Sequence, residues 1–236
     1  MTTIVGIKAN SGVEGIVIAT DRQLNHYDDA GKTILRKETI SKIVYGREWI
    51  IADAGGISNQ FAVFQNMDQE KMKQKIYRAV QRYKPDPPKD PQFREINRIN
   101  TIARRNDATL DCLHELVMAA KIDENLGLWH VDEFGSLTEY EFEPNYFTMG
   151  SGKDHVTKYI TSLAENGKIN NYKLSLPAAI EIAVEAIKLA EEDPNTGGLD
   201  LAVLTGTGVT YYGDFITKTM EKNKKDMIDI IKKQYQ

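Results

Sequence analysis

The sequence predicts an α+β protein made of two antiparallel β-sheets with helices covering their outer faces. Three observations carry this reading. Along the chain, the hydrophobic period switches between two and 3.6 in the order strands, helices, strands, helices, strands, helix. The chain opens on two short β-branched runs separated by Asn10, Ser11 and Gly12, which is a hairpin signal. Finally, 236 residues with 41% hydrophobic content suffice for one substantial core, so a single domain over 1–236 is expected.

The first hairpin joins the run up to Ile7 with Gly15–Arg22 and brings Asp21 to the sheet end where the chain starts. A polar stretch, His26 to Glu38, follows, with Asp28, Asp29 and Gly31 marking a turn. Thr39–Val44 and Trp49–Ala52 read as two more strands around the turn Gly46-Arg47-Glu48, for a first sheet of at least four strands. From Ile57 the spacing of Phe61, Phe64, Met67, Met72, Ile76 and Val80 predicts an amphipathic helix, ending by Tyr83 because Pro85, Pro87, Pro88 and Pro91 cannot continue it. Ile96, Ile99 and Ile102 suggest a second helical segment over Phe93–Arg105.

Strands resume at Glu115–Ile122, Gly127–Val131 and Leu137–Phe142, forming a second sheet with turns at Asp123-Glu124-Asn125 and Glu133-Phe134-Gly135. Helices are expected over Asp154–Ala164 and Pro177–Glu192, the latter capped by Ser175 with Pro177 in its first turn. Strands at Leu199–Leu204 and Thr210–Tyr212 and an amphipathic helix from about Asp214 complete the chain.

Charge and composition exclude several functions. A net charge of −4 gives no general case for nucleic-acid binding, and no apolar run reaches bilayer length. No signal-peptide pattern opens the chain. The single Cys112 allows no internal disulfide and fits a reducing cytoplasm. His26, His114, His130 and His155 lack ligand-like spacing, so no metal and no cofactor are expected. The segment at 68–105 is atypical: eleven Lys or Arg against five Asp or Glu give it +6 and leave −10 for the remainder. Sparse aromatics there favour a solvated face over a nucleic-acid patch, with a subunit or partner contact as the other reading.

The chemistry begins at Met1-Thr2-Thr3-Ile4-Val5-Gly6-Ile7. Once Met1 is removed, Thr2 carries a hydroxyl and a free amine on one residue, a nucleophile with its own base. Alone, the threonine pair would read as the β-branched start of a strand. Its companions change that: Ala-Thr-Asp-Arg at 19 to 22, Ser-Lys-Ile at 41 to 43, Met-Gly-Ser-Gly at 149 to 152, and Asp-Pro-Asn-Thr-Gly-Gly at 193 to 198 followed by Leu-Asp-Leu-Ala-Val-Leu. In this order they resemble the β-type subunits of the proteasome and the bacterial HslV peptidase, threonine members of the N-terminal-nucleophile (Ntn) hydrolases. The resemblance spans most of the chain and is weakest from about Asp68 to Arg105.

That resemblance implies the four-layer αββα sandwich of the Ntn hydrolase fold, with Thr2 as nucleophile, Asp21 as the acidic residue after the second strand and Lys42 as the buried lysine. Ser151, Asp193 and Thr196 match the family's supporting loop residues. The oxyanion donor is open: Gly55 is the candidate, but Ala52 and Asp53 also align, and an acidic side chain beside a developing oxyanion is counterproductive unless it points away. The loop between Gly12 and Ile16 is longer than usual.

The expected function is therefore hydrolysis of peptide or unfolded-protein substrates by a cytoplasmic homo-oligomeric ring, served by an ATPase or an α-type ring partner. An α-type role is disfavoured because the chain shows no N-terminal extension, and no propeptide precedes Thr2, so Met1 removal must expose it. Two alternatives stand beside this reading: an Ntn amidohydrolase or acyl-transfer enzyme acting on a small amide, and a non-catalytic structural subunit of the same fold.

Overall fold

The computed structural model describes residues 2–27, 33–39, 41–54, 68–81, 115–131, 137–139, 146–169, 173–194, 196–213 and 224–235. In chain order the strands are β1 (Thr3–Ala9), β2 (Gly15–Thr20), β3 (Gln23–Tyr27), β4 (Thr33–Thr39), β5 (Ile43–Tyr45), β6 (Trp49–Ala54), β7 (Glu115–Ile122), β8 (Asn125–Val131), β9 (Leu137–Glu139), β10 (Tyr146–Gly150), β11 (Asp200–Thr205) and β12 (Gly208–Tyr211). The helices are α1 (Gln69–Gln81), α2 (Lys153–Glu165), α3 (Leu176–Ala190) and α4 (Lys224–Lys233).

Two five-stranded antiparallel sheets form the centre, ordered β10-β1-β2-β11-β12 and β5-β6-β7-β8-β9. Strand alternation explains the layers. In β1, Val5, Ile7 and Ala9 face outward and pack, with Val17 and Ala19 of β2, against Val156 and Ile160 of α2 and the apolar face of α3. Ile4, Ile16 and Ile18 face inward onto Ile43, Ile50, Ala52, Val117, Ala119 and Leu128 of the other sheet. Trp49, Ile51, Met118 and Trp129 leave that second sheet on its far side and take up Met72 and Ile76 of α1. The result is the expected sandwich: helices, sheet, sheet, helix. Buried on both faces, β1, β2 and β11 read as near-continuous apolar runs.

Helix α3 begins where expected. Ser175 is its N-cap, accepting a hydrogen bond from the Ala178 amide at 3.4 Å, with Pro177 in the first turn.

Three expectations need correction. Thr39–Val44 and Trp49–Ala52 were expected beside the first hairpin; instead β5 and β6 belong to the second sheet, and β1 and β2 take β10 and β11 as neighbours. Pairing with strands distant in sequence completes the inner core that a local four-strand sheet would have left half covered. The polar stretch after Asp21 forms a separate two-stranded ribbon, β3–β4, whose register shifts between Leu24 and His26 and again before Tyr27. Strand β10, at Tyr146–Gly150, adds an edge to the first sheet where the sequence marks no element. The expected segments at Ile57–Met67, Phe93–Arg105 and 214–223, and the strand end beyond Glu139, lie outside the described residues.

Candidate active site

The central strands β1 and β2 converge on Asp21. Ile4 stands opposite Thr20, so one residue further on, the Thr3 amide and the Asp21 side chain meet. Thr3 N donates to Asp21 Oδ1 at 2.7 Å, and Gln23 N donates to Oδ2 at 3.0 Å. Lys42, entering from the second sheet just before β5, places Nζ 2.9 Å from Oδ1 and 2.8 Å from Oδ2. Asp21 is wholly buried and Lys42 is 1% exposed. A desolvated carboxylate is tolerated only with such partners.

Burial pushes the Asp21 carboxyl up from its ordinary value, opposed chiefly by the Lys42 charge. Burial pushes Lys42 down, opposed by Asp21 and, more weakly, by Asp53 and Asp200. Both shifts have one cause, the desolvation of charge, and in both the contact between the two groups opposes it.

Thr2 is 3% exposed, and its carbonyl accepts a hydrogen bond from Ser151 N at 3.0 Å. Continuing the alternation of β1 puts Thr2 on the side of Ile4, between the sheets, and Thr3 on the side of Val5. Thr3 Oγ1 accordingly meets the helical layer: it lies 2.9 Å from Thr196 Oγ1 and accepts from Gly152 N at 3.0 Å. The glycines of Met149-Gly150-Ser151-Gly152 make this approach possible. Gly150 has φ +93°, and a Cβ there would stand 1.5 Å from the Thr2 carbonyl oxygen; a Cβ on Gly152 would stand 2.6 Å from Thr3 Oγ1.

The structure thus brings Thr2, Asp21, Lys42, Ser151 and Thr196 into one neighbourhood, with Thr196 bonded to Thr3 and not to Thr2. Ser151 Oγ is buried with no hydrogen-bond partner among the described residues. Asp193 shapes the loop through its backbone, its carbonyl accepting from Thr196 N at 2.9 Å. Of the oxyanion candidates, Gly55 lies outside the described residues. Asp53 N donates to the Lys42 carbonyl at 3.2 Å and so is already engaged. Among the described residues no three His, Cys, Asp or Glu side chains lie close enough to hold a metal ion, and no helix is long and apolar enough to cross a membrane.

A family model described as "Proteasome subunit" matches residues 1–205. The chain belongs to the proteasome subunit family. No curated protein matches it. For a proteasome subunit the αββα sandwich and membership in a ring-forming assembly follow from the family, and β1, β2 and Asp21 lie within the matched span.

Sequence reasoning missed four participants. Thr3, read in the sequence only as part of a strand-starting threonine pair, is the anchor that both Asp21 and Thr196 hold. Ser41, Asp200 and Tyr211 form a polar cluster beside Lys42. The available signal was Asp200 itself, a single carboxylate opening the otherwise uncharged run Asp-Leu-Ala-Val-Leu-Thr.

Proposed function

We propose that this proteasome subunit is a threonine peptidase whose nucleophile is Thr2, exposed by removal of Met1. The supporting observation is the Asp21 carboxylate, which binds the amide of the residue after Thr2 and the Lys42 ammonium at once. One group thereby fixes the nucleophile's backbone relative to the lysine.

In this reading Thr2 Oγ attacks the scissile carbonyl while its proton passes to the α-amine, directly or through water. Lys42 stabilises the developing alkoxide, and Asp21 orients Lys42. Collapse of the tetrahedral adduct expels the amine and leaves an ester on Thr2, which water hydrolyses to return the free hydroxyl. The substrates are peptides and unfolded protein segments, cleaved inside a homo-oligomeric ring in the cytoplasm and delivered by an ATPase or an α-type ring.

Met1 decides whether this chemistry runs. While it remains, the Thr2 nitrogen is an amide whose lone pair is delocalised, and it cannot accept a proton near neutral pH. Thr2→Ala should abolish peptide hydrolysis and labelling by threonine-directed electrophiles, and intact mass spectrometry of active protein should show loss of one methionine. Activity from material retaining Met1 quantitatively would remove Thr2 as an N-terminal nucleophile.

A further inference from the structure

Asp200 is fully buried at the head of β11, on the inward face it shares with Ala202 and Leu204. A carboxylate there is desolvated at a cost that surrounding donors must offset and that an aliphatic residue would not incur. The donors are present. Ser41 Oγ donates to Oδ2 at 2.6 Å, Arg22 Nη1 stands 3.5 Å from Oδ1, and the Lys42 backbone N–H also donates to the carboxylate. The Tyr211 hydroxyl reaches the carboxylate and donates to Ser41 Oγ at 3.1 Å. Gly213 leaves the space for this cluster: a Cβ there would fall 2.1 Å from both Asp200 Oδ1 and Tyr211 Oη.

The cluster has a direction. Ser41 Oγ also lies 3.0 Å from the Ile43 carbonyl oxygen and accepts from Ile43 N at 3.3 Å, so it brackets Lys42 on the chain. Lys42 belongs to the segment entering the second sheet, whereas Asp200 and Tyr211 belong to β11 and β12 of the first. Among the described residues, these contacts converge on the backbone on either side of Lys42.

We infer that Asp200 is a positioning residue for Lys42: with Ser41 and Tyr211 it holds the Ser41–Lys42 backbone against the first sheet, so that the ammonium stands on Asp21. The inference rests on the peptidase reading for its catalytic consequence, though the placement of Lys42 is measurable without it.

The test compares wild type with Asp200→Asn, Tyr211→Phe and Ser41→Ala as full chains, assayed with a fluorogenic peptide and a threonine-directed electrophile. Asp200→Asn should lower kcat and the labelling rate by about tenfold or more, with KM within about twofold, because a displaced Lys42 leaves substrate contacts intact. Tyr211→Phe and Ser41→Ala should lower kcat severalfold in the same pattern, and they carry the test if Asp200→Asn does not fold. The pairing of Tyr211→Phe with Asp200→Asn should be no worse than the latter alone. Folded variants with unchanged kcat, or with raised KM alone, overturn the inference. If wild type neither hydrolyses nor labels, the peptidase reading fails. The crystal structure of the same variants then decides the placement: Lys42 Nζ displaced from Asp21 upholds it, and an unmoved Nζ overturns it.

Discussion

At the scale of single residues, Asp21 and Lys42 are separable by chemistry. Lys42→Arg keeps a cation beside the buried carboxylate, but a larger planar guanidinium cannot set its charge where the compact ammonium stands. Turnover should therefore fall by roughly two orders of magnitude through misplaced charge, beyond the ~1–3 kcal/mol that the larger side chain costs in packing. Lys42→Ala removes the cation and leaves Asp21, wholly buried, without its strongest partner. That loss should cost on the order of 3–5 kcal/mol in addition to activity. Turnover and melting measured on both variants decide the matter, and near-normal turnover in the arginine variant would take the placed ammonium of Lys42 out of the mechanism.

At the scale of elements, the turn after β10 is the most constrained piece of backbone in the site. Gly150→Ala would add a Cβ 1.5 Å from the Thr2 carbonyl oxygen in a left-handed conformation. The expected result is a loss of more than about 1–3 kcal/mol by urea unfolding, with activity falling further because Thr2 must shift. This turn also shows what the amino-acid string discloses and what it conceals. The β1–β2 hairpin, the Ser175 cap and the α1 stripe of Met72 and Ile76 were legible because each is a local pattern with a local cause. The sheet partition was not, since β2 pairs β11 across nearly the whole chain and no short-range signal marks that choice. Strand β10 was hidden because its Met-Gly end reads as turn chemistry, although Tyr146, Phe147 and Thr148 are good strand formers. Thr2, Asp21 and Lys42 were legible only as a spaced set. Asp200 and Tyr211 emerged once folding brought β11 and β12 beside Ser41.

At the scale of the whole molecule, the charge asymmetry awaits a role. The +6 balance between Asp68 and Arg105 sits in a chain that is otherwise acidic, and within α1 Lys71, Lys73, Lys75 and Arg78 accumulate on the helix. Lys73 pairs with Glu48 at the β5–β6 turn, and Arg78 is exposed. Opposite charge on a neighbouring subunit or delivery partner would be attracted to this region. Reversing Arg78, Arg82 and Lys84 to Glu should shift ring size by light scattering, or partner affinity, in a salt-dependent manner. Indifference of both across a range of salt would leave the segment a solvated face.

The placement of β1 between β10 and β2 has a thermodynamic consequence. Reactive loops ordinarily open in low-energy local fluctuations, so they lose function well before the protein melts. Thr3, by contrast, is paired to Gly150 on one side and tied to Asp21 on the other. Freeing it means parting β1 from β10 and breaking the tie to the buried Asp21. The Thr3 amide should therefore be among the slowest to exchange with deuterium, its opening energy approaching that of complete unfolding. The peptidase activity proposed above and tertiary structure should accordingly vanish at one denaturant concentration, and inactivation at a distinctly lower concentration would show that the anchorage of Thr3 yields independently of the sheet.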